Sequence, residues 1–64
     1  MKRIDKIQFL ISKGEVIKYH FGEYKSQRRL IIDEVEGFSY TSNAEEQKLA
    51  TEHVDLLYWE LTRD

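Results

Sequence analysis

Two periodicities divide this chain. In the C-terminal third, apolar positions recur at helical spacing: Leu49, Ala50, Val54, Leu57 and Leu61, with His53 among them, form one stripe. Ser42 and Glu45 stand at capping-box spacing, and Glu45 and Glu46 fall at the positive end of the helix dipole. The pattern predicts a helix from there to Arg63. The middle of the chain changes to period two. "EVIKYHFGEY" places Ile17, Tyr19 and Phe21 on one face and Lys18 and His20 on the other. Gly22 suggests a bulge or a strand end, and "KSQRR" a polar turn. "RLIIDEVEGFSY" resumes with β-branched residues on mixed faces: Ile31 and Val35 on one, Leu30, Ile32, Phe38 and Tyr40 on the other. Gly37 is placed to re-aim the chain between these halves.

The first segment fits both periods. Ile4, Ile7, Leu10 and Ile11 make a helical stripe, with Lys13-Gly14 as its C-cap. Ile7, Phe9 and Ile11 also alternate as a strand, with "SKGE" as a hairpin turn. Phe9 is off the helical stripe and on the strand stripe, which favours the strand. The expected fold class is therefore α+β, one domain over residues 1–64: a three-stranded antiparallel meander followed by one C-terminal helix (β-β-β-α). The alternative is α-β-β-α.

Trp59 does not belong to the helix's own stripe. At about 100° per residue it lies roughly 160° from the centre of that stripe, with Leu56 between the two and Tyr58 on a third flank. Leu56, Tyr58 and Trp59 are thus candidates for a self- or partner-interface, where Trp and Tyr are enriched. The strands suggest a sheet apolar on both faces, of which one helix covers only one. A second copy would cover the other, so a homodimer is expected.

Composition narrows the function. Sixty-four residues with no cysteine have neither a disulfide framework nor a thiolate zinc site to stiffen them. No proline, three glycines and 41% apolar residues argue for a folded chain. The basic start runs into a stretch of only five residues, Ile7 to Ile11, interrupted by Gln8, short of a secretory signal of about 7–15 apolar residues. No run approaches the roughly 20 apolar residues of a membrane span. A soluble, cytoplasmic protein is expected, with no membrane partner. The net charge of −2 is unevenly spread: residues 1–29 carry eight Lys or Arg against three acids, residues 30–64 two against nine.

Catalysis is not expected. The serines fall in turns or near a helix start, where they bond the backbone, and there is no Gly-rich phosphate loop, nucleophile elbow or paired histidine on a helix. His53, between Leu49 and Leu57, has the placement of a half-buried, hydrogen-bonded histidine rather than a ligand. His20 and His53 lack any metal spacing, so neither metal nor cofactor is expected. Lys18, Lys25, Arg28 and Arg29 gather around the second strand and its turn, with Tyr19 and Tyr24 interleaved. A cationic hairpin of this kind can meet phosphates.

The leading expectation is a non-enzymatic small binding protein, homodimeric, acting through protein–protein contacts. Its acidic half suits a basic protein partner. The composition is in the style of small phage or bacterial accessory proteins that inhibit or modulate a larger machine. The alternative is a small DNA- or RNA-binding regulator using the basic hairpin.

Overall fold

A computed structural model describes residues 2–63, apart from the side chain of Tyr24. In chain order it holds α1 (Arg3–Ser12), β1 (Ile17–Tyr24), β2 (Gln27–Val35), β3 (Phe38–Ser39) and α2 (Ala44–Thr62). The strands form one antiparallel sheet in the order β1-β2-β3, followed by the C-terminal helix, an α+β arrangement as expected.

The N-terminal segment is the helix of the alternative reading, not a first strand. Gly14, at φ +97°, ends it. Gly14 N–H donates to the Ile11 carbonyl and Glu15 N–H to the Leu10 carbonyl, the paired bonds of a Schellman stop. Phe9, the residue that favoured a strand, has a partner that local periodicity cannot show. Its ring meets Tyr58 of α2 edge-on at 5.3 Å. α1 is covered on two sides, by the sheet through Ile7 and Leu10 and by α2 through Phe9, so two stripes coexist on one helix.

β1 and β2 form a long hairpin closed by a two-residue turn, Lys25-Ser26, both at positive φ as a type I′ turn requires. The polar turn is shorter than "KSQRR": Gln27, Arg28 and Arg29 belong to the strand. A bulge lies in β2, where Lys18 pairs with Glu34 but Tyr19 pairs with Ile32, leaving Asp33 extra. The added residue shifts the alternation, so Leu30, Ile32 and Val35 share one face. This corrects the simple reading that set Val35 with Ile31. Gly22 is neither a bulge nor a strand end. It pairs with Arg29 inside the ladder, and a Cβ there would come 2.9 Å from Ile31 Cδ1, so its bare backbone makes room for Ile31.

β3 leaves the sheet almost at once, and a side chain takes over its work. Gln47 Oε1 accepts from Ile32 N–H and Gln47 Nε2 donates to the Ile32 carbonyl, both at 2.8 Å. Nε2 also reaches the Thr41 carbonyl at 2.7 Å. One side-chain amide thus pairs both main-chain groups of a fully buried residue, as the next residue of β3 would have done.

α2 starts at Ala44, with Asn43 rather than Ser42 as N-cap: its side chain accepts from Glu45 N–H at 2.8 Å. The core is one cluster, Ile7, Leu10, Ile17, Ile32, Val35, Ala50 and Val54, between one face of the sheet and both helices. The opposite face carries Lys18, His20, Arg29, Glu34 and Ile31. It is therefore mainly polar, and the two-sided apolar sheet that motivated a dimer is not present.

Candidate interaction surface

With Ala50 and Val54 turned into the core, the helical repeat carries Leu49 and Leu56 to a lateral flank of α2. Their exposures are 51% and 53%, and Trp59, one turn beyond Leu56, is 54% exposed. The Arg63 guanidinium lies 4.6 Å from the Trp59 ring centroid, shielding one face of the indole by a cation–π contact and leaving its edge to solvent. Phe38, 63% exposed, continues the apolar surface from the β2–β3 turn and meets His53 edge-on at 5.6 Å. His53 is half-buried and its Nδ1 stands 3.0 Å from Tyr40 Oη, the placement its position on the stripe implied.

Tyr58 goes elsewhere. It lies against Phe9 and beneath the Lys6 ammonium, 5.5 Å from its ring centroid, and Lys6 also pairs with Asp55 at 3.0 Å. Of the three α2 residues singled out from sequence, Leu56 and Trp59 share an exposed patch while Tyr58 fastens α1 to α2. Leu49 and Phe38 join that patch. The stripe read from spacing includes Leu49, and its offset from Ala50 by a single residue is the signal that places it on the shoulder rather than in the core.

Three carboxylates gather at this end of the molecule. Glu15 and Glu36 share a hydrogen bond, and Glu60 adds its charge to Glu15. The Glu15 carboxyl is held above the ordinary range because it donates to Glu36, with loss of hydration and the charges of Glu36 and Glu60 adding to the effect. Glu36 is held below it, first by accepting that bond and then by accepting Val16 N–H at 3.0 Å.

The basic residues are dispersed. Lys18 and Arg29 lie on the open face of the sheet, Lys18 opposite Glu34. Beside them the His20 ring nitrogen contacts the Asp33 carboxylate at 2.7 Å. Arg28 projects to the other face, its guanidinium 4.2 Å from the Phe21 ring centroid, and Lys25 sits in the tip turn. The strand character of residues 27–29 separates Arg28 from Arg29, and acids interleave with the cations that remain together.

Among the described residues no group of three or more His, Cys, Asp or Glu could hold a metal ion. No helix among them is long and apolar enough to cross a membrane. Comparison with known protein families, with curated proteins and with solved structures finds no match to this chain.

Proposed function

We propose that this chain is a non-enzymatic binding protein that acts through protein–protein contacts, with the lateral flank of α2 as its working surface. The observation that carries the proposal is the contiguity of Leu56 and Trp59, each more than half exposed, with Leu49 one heptad before Leu56 on the same flank. A helix that repeats apolar residues seven apart presents a seam on which a second helix can lie. The simplest partner is a second copy, its α2 against this one. The acidic border of Glu15, Glu36 and Glu60 favours a basic surface on any further target, and the role that follows is that of an inhibitor or modulator that occupies another protein's surface. The nucleic-acid reading has less support, since the cations of the hairpin are split between two faces.

Trp59 is the only tryptophan, so its fluorescence reports the test directly. Self-association through this flank predicts a blue shift of emission with rising protein concentration, in step with a doubling of mass by light scattering. Leu56→Ala should weaken the dimer by about 1–2 kcal/mol, roughly a tenfold change. Emission that stays at the water-exposed wavelength in a monomer at millimolar concentration would remove the dimer from the proposal. An unaltered Trp59→Ala profile in capture of a host protein would remove the flank itself.

A further inference from the structure

The sheet has a second unfinished feature, on another flank of α2 from Leu56 and independent of the reading above. Along a strand, main-chain groups point alternately to either side. Ile32 points its N–H and C=O away from β1, where Gln47 takes both. By the same alternation Leu30 and Arg28 point theirs to that side, beyond the reach of β3, which pairs only with Glu34 and Val35. Among the described residues nothing bonds those groups. The edge opens into a groove of about 970 Å³, walled by the first half of α2 from Ala44 to Glu52 and closed at one end by Arg3. Arg3, Arg28 and Lys48 line it with their side chains against two acidic residues, Glu23 and Glu52.

We propose that this groove receives an extended acidic segment of a partner protein, added as a strand beside Arg28 and Leu30. Gln47 demonstrates the chemistry one residue pair further along: an amide, donating and accepting at once, docks on this edge. Each open residue offers a donor and an acceptor, which a polypeptide matches and a phosphate chain, acceptor only, does not. Charge selects among polypeptides. A second copy paired edge to edge would set Arg28 and its neighbours against their own like charges, whereas glutamates of an acidic strand would meet Lys48 and Arg3.

The probe is a fluorescein-labelled octapeptide of alternating threonine and glutamate, read by fluorescence anisotropy and by amide hydrogen exchange of the unmodified chain. Binding should slow exchange of the Arg28 and Leu30 amides, while those of Arg29 and Ile31, already in the β1–β2 ladder, change little. The fully N-methylated peptide, with the charges intact and no main-chain donors, should bind at least about tenfold more weakly, as should the threonine–lysine peptide. Lys48→Gln and Lys48→Glu should weaken binding in that order. Absence of binding at millimolar peptide overturns the proposal, and so does equal binding of the N-methylated form. Slowed exchange at Arg28 and Leu30 on raising protein concentration alone assigns the edge to a second copy instead. Protection of the same amides by an oligothymidylate assigns it to nucleic acid.

Discussion

The two halves of the β1–β2 hairpin share one ladder and differ in everything that supports it. At the base, Ile17, Ile32 and Val35 are buried beneath both helices, and the outer edge of β2 is closed by Gln47 and by Tyr40 N–H on the Asp33 carbonyl. Toward the tip, Gln27, Arg28 and Arg29 are exposed, Phe21 lies against Arg28 and Tyr19 and is 43% exposed, and the edge is open. The molecule is accordingly long and thin, 40 × 22 × 16 Å. A strand pair does not hold itself in water. It borrows stability from what lies on its face and along its edge, and where neither is supplied the same backbone is available to something else.

The sharpest way to break this contrast is to truncate an apolar residue in each half. Ile32→Ala removes a fully buried side chain and should cost about 3 kcal/mol, a large share of the stability of so short a domain. Phe21→Ala removes a side chain that is 43% exposed and should cost about 1 kcal/mol or less. Urea denaturation followed by circular dichroism measures both. Equal shifts in midpoint would mean that the tip is as well supported as the base.

Next in size is Gln47→Leu, which keeps the bulk and removes the amide. Both main-chain groups of Ile32 lose their partner, at a cost of about 2 kcal/mol. The Ile32 amide should then exchange at a rate approaching that of Leu30, turning a base position into a tip position. Unchanged protection of Ile32 in this variant would show that another group closes the edge.

Parts of this contrast are legible in the sequence and parts are not. The centre of the α2 stripe, Ala50 and Val54, and the faces of β1 follow from spacing alone, whereas Leu49 and Leu61, counted in the same stripe, are exposed. Ile32 and Val35 share a face only because Asp33 is looped out, and a bulge leaves no mark in an apolar–polar pattern. α1 was misleading for the opposite reason. Its Phe9 answers to Tyr58, 49 positions away in the chain, and local alternation cannot distinguish that from a strand face. The exposed flank was legible where it depended on helix geometry, in Leu56 and Trp59. It was not legible where it depended on tertiary contact, in Phe38 beside His53 and in Tyr58 turned inward. Gln47 gave no signal, since a glutamine on a helix reads as a solvent residue.

A smaller effect, of opposite sign, comes from the tip turn. The β2–β3 turn puts glycine at its second positive-φ position, Gly37, whereas the β1–β2 turn puts Ser26 there at φ +63°. The left-handed conformation costs a residue with a Cβ about 1 kcal/mol. Ser26→Gly should therefore raise stability by about 0.5–1 kcal/mol, seen as a higher urea midpoint, provided the tip is formed as an ordered turn. A neutral or destabilising result would show that the tip is too loosely held for its turn geometry to matter.

The smallest effect lies in the carboxyl pair. Glu15, raised because it donates to Glu36, lends stability that is present at low pH and is lost as pH rises through its folded value. Glu36, lowered because it accepts from Glu15 and Val16 N–H, lends stability that is present above its unfolded value and is lost as pH falls through its folded one. The pair therefore supports the fold best near the ordinary glutamate value of 4.5, where one proton is shared, and less at neutral pH. Both side chains are solvent-accessible, so the change is slight. Glu15→Gln replaces the titrating donor with a permanent one. Its thermal midpoint should exceed that of the native chain at pH 7, and the gap should narrow as pH falls toward 4. A gap that is constant across this range would mean that Glu15 and Glu36 do not share a proton, and that the base of the hairpin owes nothing to the charge at its entrance.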